Sequence, residues 1–208
     1  MLKQLGLIFL AGTALAACAN RGGDPLRVTR SACPAVAVLQ HAGTVTLFSP
    51  PTSRDADAID VTATITNVRG TCGEVGDRIT TSATFDVQAQ RANASGARDV
   101  TLPFFAAVVQ GGDQLVAKQE GSVTLHFADG QVRAQASAAS QAQVSRAAAT
   151  LPENIREKIT RKRKPGDPDA AVDPLADPEV RTAVRAATFE VLLGFQLDDA
   201  GLAYNATK

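Results

Sequence analysis

Between residues 33 and 148 the side chains alternate between apolar and polar, and this rhythm constrains the fold more than any other feature of the chain. Ile59, Val61, Ala63 and Ile65 alternate with Asp60, Thr62, Thr64 and Thr66. Ile79, Ala83, Phe85, Val87 and Ala89 alternate with Thr80, Thr84, Asp86, Gln88 and Gln90. Val123, Leu125 and Phe127 alternate with Thr124 and His126, and Val132, Ala134, Ala136 and Ala138 with Gln131, Arg133, Gln135 and Ser137. Successive side chains of a strand point to opposite faces, so each run reads as a strand with one dry and one wet face.

Loop residues separate the runs. Asn93-Ala94-Ser95-Gly96 and Gln110-Gly111-Gly112-Asp113 read as loops, and Asp129-Gly130 as a tight hairpin. With further strands near 34–40, 44–48, 100–109 and 114–118, the pattern predicts a mainly β fold. Its form is an antiparallel β-sandwich of about seven or eight strands over residues 33–150. The rhythm resembles an immunoglobulin or fibronectin type III fold, without the Trp that an antibody-type domain carries between its cysteines. Pro103 inside an apolar run predicts an edge or bulged strand there. Phe104 and Phe105 must face opposite sides, and the outward one is expected to lie under the C-terminal segment.

Residues 151–208 change character and read as an extension packed on the sandwich. PENIREKITRKRK predicts a short helix, and the proline-rich stretch 165–178 an irregular loop. Asp177-Pro178-Glu179 reads as an N-cap with proline at the first helical position. FEVLLGFQL at 189–197 is apolar enough for a buried strand returning to the sheet, with a short helix after it.

The first residues read as an address. Lys3 precedes an apolar run, Leu5 to Leu15, that is too short for a spanning helix of about 20 residues. The sequence Leu15-Ala16-Ala17-Cys18 resembles a bacterial lipobox. The resemblance implies a signal peptide over 1–17 and a diacylglyceryl group on Cys18. Ala19 after the cysteine implies the outer membrane, facing the periplasm. Residues 18–32 then form a lipidated tether, of which the polar dozen reaches at most ~40 Å. In such an oxidising compartment Cys33 and Cys72 read as one disulfide, closing a loop of about 40 residues and contributing roughly 4 kcal/mol in the chain-entropy model.

Composition removes several functions. Lys plus Arg equals Asp plus Glu at 21 each, which argues against a nucleic-acid partner. Aromatic residues are 4% with no Trp, which disfavours sugar and single-strand binding by stacking. Two histidines, His41 and His126, cannot make a three-histidine zinc site. Asp167-x-Asp169 starts like a calcium loop but lacks the later acidic position and the central Gly, so no metal or cofactor is expected. His126 lies in the wet phase near Ser122 and Asp129, without a nucleophile elbow, so no catalytic residue is nominated. Asn93 and Asn205 match the glycosylation sequon.

Arg161-Lys162-Arg163-Lys164 is the densest run of charge. It reads either as a contact for anionic head groups or an acidic partner, or as a solvated helix end neutralised by Asp167, Asp169, Asp173 and Asp177. The expected function is a non-catalytic, membrane-anchored binding or scaffold module of the bacterial envelope, meeting another envelope protein through this run or an edge strand. The alternative is a carrier for a small apolar ligand or lipid, with Ala134, Ala136 and Ala138 leaving room between the sheets.

Overall fold

A computed structural model describes residues 26–207. The alternating runs become the strands of two four-stranded sheets facing each other. The strands are β1 (Ala35–Val38), β2 (Thr44–Phe48), β3 (Ile59–Val75), β4 (Arg78–Arg91), β5 (Arg98–Gln110), β6 (Gln114–Phe127), β7 (Arg133–Ser145) and β8 (Phe189–Phe195). One sheet has the order β1-β8-β5-β6 and the other β2-β3-β4-β7. Their dry faces meet in one core holding Phe85, Phe104, Phe127, Phe195, Leu102, Leu125 and Leu193, with Phe85 and Phe104 edge to face at 5.1 Å.

The last strand is an interior strand. β8 pairs antiparallel with β5 and parallel with β1, so the first and last strands of the domain are neighbours. Phe189, Val191, Leu193 and Phe195 face the core, while Glu190, Leu192 and Gly194 face outward. The sandwich is therefore completed only by a strand that follows the helical stretch.

Two strands are longer than the alternation implies, for one reason. β3 continues through Gly70 because a side chain there would collide with Val36 of the facing sheet, at 2.7 Å from its Cγ2. The stretches near 114–118 and 123–127 join into a single β6 through Gly121, whose missing side chain admits the Phe104 ring; a Cβ would lie 2.6 Å from Cζ. Glycine here marks close approach rather than a turn.

Pro103 sits in a strand with neighbours on both sides, contrary to the edge expectation, and the register shift of β5 falls at Val108/Val109 instead. The proline is tolerated because β8 ends beside it: the β5–β8 ladder closes at Phe104 and Phe195, and the Gln196 N–H still donates to the Pro103 carbonyl. Asp129-Gly130 likewise turns a corner between the two sheets rather than a hairpin within one. Phe105 is the outward aromatic; its ring lies across Gly194 of β8, with the Lys118 ammonium 5.2 Å from its centre.

Between β7 and β8 the chain forms α1 (Arg146–Ala149), α2 (Glu153–Thr160) and α3 (Pro178–Ala186), and α4 (Asp199–Ala206) follows β8. Asp177 caps α3 by accepting from the Glu179 N–H at 2.9 Å, with Pro178 at the first position. Ile155, Ile159 and Val180 form a second small core with Val28, Leu151, Leu175, Ala183 and Val184. Arg146 N–H donates to Asp77 O beside the β3–β4 hairpin, and Gly111 N–H to Thr188 O at the β5–β6 hairpin. The helical cap α1–α3 therefore covers the end of the sandwich where both hairpins lie.

Candidate functional site

The incoming chain is fastened to this capped end. Val28 N–H donates to Ile159 O at 3.0 Å, adding the tether to α2. Arg30 reaches two carbonyls, Ala149 at 3.1 Å and Ala187, and so staples the end of α1 to the residue after α3. Burial lowers the Arg30 guanidinium from its usual value. Cys33 and Cys72 then form a disulfide, with Cα atoms 6.0 Å apart. Cys33 precedes β1 of one sheet and Cys72 lies in β3 of the other, so the bridge joins the sheets covalently. Cys18 and the leader lie outside the described residues.

The basic run sits beside this fastening, at the end of α2, and is partly neutralised from within. Arg161 donates from Nη1 to Asp167 at 3.4 Å and from Nη2 to both carboxylate oxygens of Asp169, which raises the guanidinium and lowers the Asp169 carboxyl. The Arg163 side chain is only 5% exposed, its Nε 3.5 Å from Asp169. Lys158 is held between Glu179 at 2.8 Å and Asp177 at 3.5 Å, and its ammonium is raised by Glu179 first. Of the four run residues, Lys162 and Lys164 keep exposed positions and appear in none of these ion pairs.

The other nominated residues are scattered. His126 is exposed and pairs across strands with Asp99 at 2.6 Å. Asp129 accepts from the Gly96 N–H at 2.7 Å, which fixes one inter-sheet corner to the other. His41 lies in the loop between β1 and β2, in a left-handed backbone conformation (φ 65°). Asn205 is buried in α4 and donates from Nδ2 to His41 O and Thr44 O, so its amide is not available to a glycosyltransferase in the folded protein; Asn93 is exposed. Among the described residues no group of three or more His, Cys, Asp or Glu side chains is placed to hold a metal ion.

Ala134, Ala136 and Ala138 pack against the core. A crevice of about 170 Å³ lies between β6 and β7, lined by Ala106, Val108, Ala117, Gln119, Ala142 and Gln143 among others. Drug-sized ligands occupy roughly 300–1,000 Å³. A larger groove of about 690 Å³ runs over the wet face of the other sheet, past Thr62, Thr64, Gln88, Gln90 and Arg133.

Arg91 belongs to none of these motifs and is a structural residue. It is 2% exposed and donates to the carbonyls of Ala94, Gly96, Ala128 and Gln131 at 2.7–2.9 Å, with its guanidinium 5.2 Å from the Phe127 ring centre. The β4–β5 and β6–β7 corners both hang on it. The signal is in the alternation: continuing Val87 and Ala89 by two places puts an arginine in the dry phase.

No protein-family model matches this chain, and no curated protein is similar to it. What is defined is the architecture: a disulfide-joined four-on-four β-sandwich whose incoming chain is clamped to a helical cap.

Proposed function

We propose that the protein is a lipid-anchored, non-catalytic binding or scaffold module of the bacterial envelope, held at the outer membrane and facing the periplasm. The observation that carries this reading is the route of the chain after Cys18. A lipobox-like sequence is followed at once by a segment locked to the domain by Val28, Arg30 and the Cys33–Cys72 bridge. Only residues 19–25 separate the acylation site from the first described residue, a reach of at most ~28 Å when extended. A domain so tied stays next to the bilayer. Two or more acyl chains give the stable anchoring that one does not.

The test is metabolic labelling with a fatty-acid analogue, followed by membrane fractionation. The expected result is label on the mature chain, recovered with membranes, and loss of both in Cys18→Ser. Unlabelled protein, or a Cys18→Ser variant still bound to membranes, overturns the anchor. Crosslinking in cells then reads the binding role: recurrent attachment of a protein supports it, and an uncrosslinked chain opposes it.

A further inference from the structure

We propose that the free edge of β7 pairs antiparallel with the same edge of a second copy of this chain, extending two four-stranded sheets into one across a two-fold axis. Each sheet leaves two edges. β1 and β2 are short, of 4 and 5 residues. β6 is long but carries Lys118, Glu120 and Gly121 and pairs with β5 through a register shift. β7 differs from all three. It runs 13 residues in unbroken register with β4, and from Ala134 to Ser145 it holds no charge, no Pro and no Gly. Sheet edges are ordinarily guarded by those devices, and this one has none of them after Arg133.

The ladder shows which backbone groups are free. Arg91 N–H donates to Val132 O just before β7, and Arg146 N–H to Asp77 O just after it. In an antiparallel ladder bonded and non-bonded pairs alternate. The register therefore turns the even-numbered residues of β7 toward β4 and leaves the N–H and C=O of Gln135, Ser137, Ala139, Gln141 and Gln143 on the open side. The side chains of these five are exposed on the outer face, β6 of the other sheet flanks this side of β7 across the crevice described above, and among the described residues β7 has a ladder with β4 alone.

The sequence of this edge is self-complementary. An axis at Ala139 sets Ala139 against its own copy, Ser137 against Gln141, Gln135 against Gln143 and Arg133 against Ser145. Small side chains meet at the axis, amides and hydroxyls meet beside it, and no like charges oppose. Antiparallel pairing also sends the two tethers out at opposite ends, roughly 40 Å apart over the length of β7. Both reach one bilayer when the strands lie along it. The pairing rests on the anchored-module reading only for where the copies meet in the cell.

Sedimentation velocity of the purified full chain in detergent micelles tests the pairing apart from that reading. The expected result is a concentration-dependent dimer. Ala139→Lys and Ala139→Glu each sediment as monomers, since like charges then face each other on the axis, and an equimolar mixture of the two regains the dimer. Ala139→Pro removes an open-side N–H without touching the β4 ladder and also gives a monomer; if that variant does not fold, the charge pair still decides. A wild-type chain that is monomeric throughout, or a dimer that survives both charges, overturns the proposal. A dimer lost in both charged variants and not regained on mixing overturns the two-fold register. In cells, Ala139→Cys with a short bis-maleimide gives a product of twice the chain mass; products with other proteins alone overturn the second copy as occupant.

Discussion

The two ends of the sandwich are closed by different physics. At the end of the inter-sheet corners one buried guanidinium gathers four backbone carbonyls from two loops. At the capped end the same task is divided among a disulfide, a small apolar cluster, the Arg30 staple and surface ion pairs. A concentrated closure fails with one substitution, whereas a distributed one loses its parts one at a time. The distributed end is also where residues 26–33 enter the domain, and there the Val28 and Arg30 hydrogen bonds come before the Cys33–Cys72 bridge.

The largest effect is expected at the concentrated end. Arg91→Met strands four carbonyls at about 1 kcal/mol each and removes a cation–π contact of about 1 more, a loss of roughly 5 kcal/mol. Urea unfolding followed by circular dichroism measures it; a loss under about 2 kcal/mol would mean the corners hold without their arginine.

Next comes the covalent part of the other end. Cys33→Ala with Cys72→Ala should cost roughly 4 kcal/mol, the chain-entropy value for a bridge spanning 39 residues of sequence. Dithiothreitol should lower the wild-type midpoint to that of the double variant and leave the variant unmoved. If the variant matches the oxidised wild type instead, the cap holds this end without the bridge.

Ile159→Ala sharpens the contrast further. Its side chain is buried in the second core, so about 3 kcal/mol is lost there. The loss should be local: amides of α2 and α3 exchange faster while those of β4 and β5 keep their protection. Uniform acceleration across the sandwich would show that the cap and the main core unfold together.

Much of this architecture is legible in the residues. Alternation locates the strands, and Asp177-Pro178 marks the start of α3. What stays hidden depends on partners that only the folded chain brings together. Gly70 and Gly121 look like breaks because the reason for them, Val36 and Phe104, is a side chain far away in sequence. Asp129-Gly130 carries hairpin chemistry, yet it turns a corner where Arg91 holds the flanking Ala128 and Gln131 carbonyls and the Gly96 N–H donates to the Asp129 carboxylate. The place of β8 between β1 and β5 is a long-range pairing that no local pattern encodes. At the candidate site, the basic run and its neutralisation by Asp167 and Asp169 are visible as charge, but which arginine each acid meets depends on how the proline-rich loop folds back. The open side of β7 needs the ladder phase, which only the register with β4 supplies.

Asp86 provides the smallest effect and a control that belongs to neither end. It lies mid-sheet on the wet face, where the Ser137 hydroxyl and then the Asn67 amide hold its carboxyl below the ordinary value, with Arg69 adding to them. A carboxylate whose folded-state pKa is depressed stabilises the fold above its unfolded value, about pH 4, and loses that contribution as pH falls through the folded one. Asp86→Asn should therefore flatten the acid limb of the stability curve and lower stability slightly at neutral pH. It should leave the response to dithiothreitol unchanged, because Asp86 touches neither the bridge nor the cap. Urea midpoints from pH 7 down to about pH 2 would show it. An acid limb identical to wild type would place the titrating carboxylates elsewhere, with Asp169 and Asp177 of the capped end, both also held low, next in line.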